Sequence, residues 1–81
     1  MKVKPLNSKL LKYLKYHNLI SKYIRQILVF QNNPLHPSLH TEILLPRHSK
    51  IYSYRIDRIY IVIFIIRNSE VEIIDINDHY E

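Results

Sequence analysis

An imidazole and a phenol, His79 and Tyr80, sit in a polar tail of sequence Asn-Asp-His-Tyr-Glu over residues 77–81. Imidazole gives and takes protons near neutrality without special tuning. A phenol beside it can stack on an aromatic ligand or donate a proton. Upstream, Arg55 and Arg58 precede an unbroken apolar run, residues 59–66. A guanidinium suits an oxyanion, because it grips two oxygens with parallel hydrogen bonds. A buried strand that brings cations and titratable groups to one edge of a small basic sheet suggests a site for a polyanion. Each group also has a plainer reading: His79 and Tyr80 as a solvated, fraying end, and Arg55 as a salt-bridge partner of Asp57 or Asp75. No metal or small-molecule cofactor is expected, since cysteine is absent and His36 and His48 fall in turn sequence. His17 reads as the end of a helix rather than a ligand.

The elements that must position these groups follow from periodicity. Asn7 or Ser8 can cap a helix whose Leu10, Leu11 and Leu14 share a face. A second helix is expected over about residues 19–31, with Ile20, Tyr23, Ile24, Ile27 and Leu28 forming its apolar stripe and Lys22, Arg25 and Gln26 opposite. Pro34 closes this hairpin, because the residue before a proline is pushed away from helical angles. Strands are expected over 42–45, 51–56, 59–66 and 71–76, joined by short turns. The run 59–66 is apolar throughout, which implies cover on both faces. Residues 1–5 can add a short edge strand that Pro5 ends. Short connections make the sheet antiparallel. The expected fold is α+β: an N-terminal helical hairpin packed on a four-stranded, mainly antiparallel sheet, in a single domain over residues 1–81.

Composition narrows the setting. At 81 residues there is room for one modest core. The longest apolar run is far shorter than the ~20 residues a membrane-spanning helix needs, and the first residues lack the apolar stretch of a signal peptide. A cytoplasmic protein is expected, consistent with the lack of cysteine. The formal net charge is +5, unevenly placed. Nine lysines and arginines stand against Glu42 alone in residues 1–50, whereas acids outnumber bases afterwards. Such a cationic face attracts nucleic acid or an acidic protein. A solvated helix surface is the alternative, and the heavy use of Ile, Lys, Asn and Tyr also fits an AT-rich genome.

Four segments in order carry a family resemblance: Asn33-Pro34-x-His36-Pro37-Ser38-Leu39-x-Thr41, Tyr52-Ser53-Tyr54-Arg55-Ile56, Tyr60-x-Val62-Ile63-Phe64, and Ile73-x-Asp75-Ile76-x-x-His79. Together they resemble the RelE/ParE superfamily of toxin–antitoxin toxins, from about residue 8 to 80. The resemblance implies one of two activities. RelE-like members cleave mRNA in the ribosomal A site, and ParE-like members inhibit DNA gyrase. His79-Tyr80 is similar to the C-terminal His-Tyr of the YoeB branch, and a histidine there also recurs in the YafQ branch, so the tail favours RNA cleavage.

Metal-free RNA cleavage uses the 2′-hydroxyl as nucleophile, with a base, an acid for the departing 5′-oxygen, and cations around the phosphorane. The resemblance casts His79 as acid/base, Tyr80 as base-stacker or proton donor, and Arg55 as phosphate holder. Glu42 occupies the place where many relatives have histidine, so Glu42 or His40 is a candidate second base. Lys9, Lys12, Lys15, Lys22, Arg25, Arg47 and Lys50 would contact RNA or ribosome. One departure stands out. Relatives of the nuclease branches usually follow the equivalent of Tyr60 with an arginine, and this chain has Ile61. Either Arg58 reaches the same space, or the chain resembles the histidine-reliant YafQ branch, or the toxin is weakened and only binds its antitoxin. Asn77 stands where relatives often have glycine. A cognate antitoxin, the ribosome and mRNA are the implied partners.

Overall fold

The computed structural model describes residues 1–79. Along the chain run β1 (Lys2–Val3), α1 (Ser8–Tyr16), α2 (Ile20–Asn32), β2 (Glu42–Ile43), β3 (Tyr52–Arg55), β4 (Ile61–Arg67) and β5 (Glu70–Asn77), with 3-10 turns at Pro37–Leu39 and Arg47–Ser49.

Helix α1 starts where a side-chain acceptor is present: Asn7 Oδ1 takes the N–H of Leu10 at 2.8 Å. Leu10 and Leu14 are buried, but Leu11, expected beside them, is exposed. Asn18, at φ 56°, reverses the chain into α2. There the apolar face is rotated from its expected position. Ile20, Tyr23 and Ile27 pack on the core as anticipated, whereas Ile24 and Leu28 are 50% and 61% exposed. Residues 27–30 are all apolar, so the sequence leaves the helix a choice of faces, and the largest side chain decides it. Phe30 is fully buried, stacked on Tyr54 at 4.9 Å and edge-on to Phe64 at 5.1 Å between ring centroids.

The sheet has five strands, in the order β1-β5-β4-β3-β2, one more than the four expected. The addition is β1, a two-residue edge strand that runs parallel to β5 while every other pairing is antiparallel. The N–H of Lys4 donates to Val71 O at 2.9 Å, and Lys2 and Lys4 face Glu70 and Glu72 at 3.7 Å each. The terminal ammonium donates to Gln31 O at 2.7 Å, which ties the start of the chain to the end of α2.

Cross-strand partners place Tyr54, Val62 and Ile76 on one rung, and Tyr52, Phe64 and Ile73 on the next; all of these meet the helices. The opposite face carries no helix. The expectation that residues 59–66 are covered on both faces therefore fails: Ile63 and Ile65, on that face, are half-buried, and Ile66, on the same side as Phe64, is exposed as well. Ile61 is the exception, 6% exposed although it lies outside the main core cluster. Its rung neighbours are Arg55 and Asn77. A bulge in β5 leaves Ile74 unpaired, so Val71, Ile73 and Ile76 all reach the core, and the simple alternation expected for residues 71–76 is broken.

The chain has no glycine. Asn68 and Ser69, at φ 54° and 62°, make the two-residue hairpin between β4 and β5, which demands two left-handed residues. Asn77, expected at a glycine-like position, is extended within β5 instead; the other left-handed residues are Asn18, His40 and Lys50.

Candidate functional site

The end of β5 and the outer face of α1 enclose a cleft of about 670 Å³, lined by Lys9, Leu10, Lys12, Tyr13, Tyr16, His17, Asp75, Ile76, Asn77, Asp78 and His79. Positions 9, 12, 13, 16 and 17 share a helix face because residues three and four apart are neighbours. Their rings cluster. Tyr13 and His17 lie 4.2 Å apart, Tyr16 and His17 4.9 Å, and His17 and Tyr60 5.3 Å between centroids. The Tyr60 hydroxyl and His17 Nδ1 are 3.2 Å apart, which fixes the imidazole across the mouth of the β3–β4 turn. Burial raises the Tyr13 phenol above its ordinary range, with Asp78, Tyr60 and Asp75 adding to the effect.

His79 is oriented by an Asx turn. Its backbone N–H donates to Asn77 Oδ1 at 3.0 Å, while Asn77 Nδ2 donates to Asp75 Oδ2 at 2.8 Å. The imidazole is exposed, with Nδ1 3.9 Å from Asp78 Oδ1. Proton-transfer capacity, two lysines and a bank of aromatic rings thus share one open cleft. Such a combination suits a single-stranded nucleic acid, whose bases stack while its phosphates meet cations. Sequence reasoning misses Tyr13, Tyr16 and Tyr60, and reads His17 as a helix end only. The signal is nonetheless present: Lys9, Lys12, Tyr13, Tyr16 and His17 recur at helical spacing as a basic, aromatic face.

A second cleft, of about 300 Å³, lies where α2 meets the β3–β4 turn and is lined by Lys22, Arg25, Gln26, Ser38, His40, Arg55, Ile56, Asp57 and Arg58. Gln26 Nε2 donates to Arg55 O at 2.9 Å and Ser38 O at 3.3 Å, which fastens helix, sheet and 3-10 turn together. Asp57 caps the turn. Its Oδ1 accepts the N–H groups of Ile59 and Tyr60 at 2.8 Å each, and its Oδ2 meets Lys22 Nζ at 3.0 Å. Burial pushes this carboxyl up, but the two amides and Lys22 outweigh it and leave its pKa below the ordinary value.

Arg55 and His79 therefore line different clefts. On the sheet they are nearer than this suggests. Arg55, Ile61 and Asn77 form one rung, so Arg55 and Asn77 stand two strand spacings apart, ~10 Å, with side chains on the same face. Arg58 is exposed in the turn and belongs to the α2 cleft rather than the tail cleft. Glu42 is at the far edge, on a rung with Ser53, Ile63 and Asp75, and lines neither cleft; His40 lines the α2 cleft. The cations are divided as well. Lys9 and Lys12 line the His79 cleft, Lys22 and Arg25 line the Arg58 cleft, Lys15 is exposed on α1, and Arg47 and Lys50 lie in the turn after β2. Tyr80 lies outside the described residues. His36 and His40 are four residues apart, but His36 Nδ1 accepts from Ser38 N, and no group of three or more metal-ligating side chains occurs among the described residues. No helix among them is long and apolar enough to cross a membrane.

No protein-family model matches the chain, and no curated protein matches it. Solved structures do. A YoeB/ParE toxin from Agrobacterium tumefaciens aligns over 99% of this chain and 100% of its own, with TM-score 0.72 and 17% identity. YafQ from E. coli strain BL21(DE3) aligns over 96% and 90%, with TM-score 0.73 and 14% identity. The fold is that of the RelE-like toxins. A YoeB–YefM complex from Staphylococcus aureus gives TM-score 0.69 at 20% identity, over 98% of this chain and 94% of that one. With a RelE-like fold established, the helical hairpin and the sheet order are accounted for; at these identities, side-chain roles are not transferred.

Proposed function

We propose that this chain is the toxin of a toxin–antitoxin pair and a metal-independent endoribonuclease that cuts mRNA on the ribosome. The observation that carries the reading is His79, held by Asn77 in a cleft whose opposite wall is the Lys9, Lys12, Tyr13, Tyr16 and His17 face of α1. A base stacked on the rings presents its ribose to the imidazole. A general base removes the 2′-hydroxyl proton, the 2′-oxygen attacks the adjacent phosphorus, and the P–O5′ bond breaks as the departing oxygen is protonated. The products are a 2′,3′-cyclic phosphate and a 5′-hydroxyl, and no water is consumed. His79 carries one of these proton transfers; Lys9, Lys12 and, from across Ile61, Arg55 neutralise the phosphorane. Tyr80, by the family resemblance, is the candidate to stack on a base or to protonate the departing oxygen.

A protein antitoxin neutralises it. A basic surface, with Ile24 and Leu28 exposed on α2, suits an acidic, amphipathic segment. The matched S. aureus structures include toxin with YefM.

A second reading draws on one observation. Ile61, which cannot donate to an oxyanion, stands where the family resemblance implies an arginine. It favours a toxin that acts by binding alone, on gyrase or only on its antitoxin. Purified protein added to translating ribosomes separates the two. Cleavage should yield 5′-hydroxyl ends mapped by primer extension, and His79→Ala should lower the rate by roughly 10²–10⁴-fold. Toxic induction with intact transcripts and filamentous cells would favour gyrase.

A further inference from the structure

We propose that the cleft between α2 and the β3–β4 turn is a phosphate-binding site for the backbone of an RNA strand, separate from the cleft that holds His79. Lys22, Arg25 and Arg58 face a space of about 300 Å³ in which, among the described residues, Asp57 is the one carboxylate. That carboxylate is consumed by the turn it builds, taking two backbone amides and the Lys22 ammonium. Arg25 and Arg58 have no carboxylate within ion-pair distance among the described residues. They come from two separate elements, and His40 joins them from a third, so the convergence is made by the fold rather than by local sequence. Gln26, bonded to β3 and to the 3-10 turn, keeps helix and strand from sliding apart under this repulsion.

The ligand is an anion, since like charges brought together in a cleft are relieved by one. A phosphodiester presents its two charged oxygens to a guanidinium at every link of a nucleic-acid strand, so the strand brings the next phosphate along with the first. The site therefore favours a polynucleotide over an acidic peptide. It does not depend on the cleavage chemistry, and it would fix a stretch of strand away from the scissile bond.

The test uses the full chain, ¹⁵N-labelled, titrated with inorganic pyrophosphate and then with a 2′-O-methyl RNA hexamer, which lacks the nucleophile and is not cut. Saturable shifts are expected at the Arg25 and Arg58 Nε–H groups and at the amides of residues 38–40 and 57–58. The hexamer should displace pyrophosphate from them. R25A/R58A should weaken hexamer binding by about tenfold or more and flatten its salt dependence by roughly 0.7 in the log–log slope for each phosphate no longer neutralised. Should the double variant fail to fold, the exposed single change Arg58→Gln serves the same comparison. Shifts confined to the tail cleft, or displacement by oligoglutamate but not by the hexamer, would overturn the proposal. Ribosomes left uncut while the hexamer still binds here would count against the nuclease reading alone.

Discussion

Asn77 serves two neighbours at once: its carbonyl oxygen accepts from His79 N–H and its amide donates to Asp75. Its position on the open side of β5 means that little packing disappears on truncation. Asn77→Ala is expected to slow RNA cleavage by about tenfold, as the imidazole loses its orientation. Its effect on stability should stay near the ~1 kcal/mol of one missing hydrogen bond, and urea denaturation beside the cleavage assay checks both. Phe30 is the opposite case. It is fully buried between Tyr54 and Phe64, so Phe30→Ala should destabilise by about 3–5 kcal/mol in the same urea titration. His79 stands out as a candidate in the sequence because imidazole chemistry is recognisable without a fold. His17 does not, since its pairing with Tyr60 spans 43 positions and exists only once the β3–β4 turn is laid against α1.

Among the elements, the helix ranges and the sequence of strands along the chain follow the apolar periods closely, with capping residues such as Asn7 where expected. The rotation of α2 is hidden because four consecutive apolar residues satisfy several helix faces, and only the stacking of Phe30 selects one. The bulge in β5 is hidden for a related reason, since Ile73 and Ile74 are equally apolar and only the pairing shows which is left out. The β4–β5 hairpin places Ser69 in the left-handed region, where a side chain costs ~1–2 kcal/mol. Ser69→Gly should recover part of this, raising the melting temperature by a few degrees for a domain of this size. The β3–β4 turn has a pH signature. Folding lowers the Asp57 pKa, so its contribution is fully present above the ordinary carboxylate range near pH 4 and fades as pH falls through the lowered value. Replacing it, Asp57→Asn, should flatten that acid limb of stability, read as urea midpoint against pH.

For the molecule as a whole, the buried phenols set the alkaline limit. Burial pushes Tyr23 up to about 12 and Tyr54 still higher, the latter helped by Tyr23. The unfolded chain ionises them first, so stability present below about pH 10 should decline above it. A thermal melt series across that range tests this, and Tyr54→Phe should blunt the decline. At this scale the sequence conveys the uneven charge but not its partition into two clefts, which depends on which residues α2 and the β3–β4 turn bring face to face.

The seam between β1 and β5 joins the two extremes of the described chain. Val71, Ile73 and Ile76 close the core, and the Lys4 N–H that bonds Val71 O has its partner in the last strand of the chain. Loops of such span are slow to close, so assembly waits for the final strand. During synthesis, the nascent polypeptide can hold neither its finished interior nor the clustered cleft groups until that strand emerges.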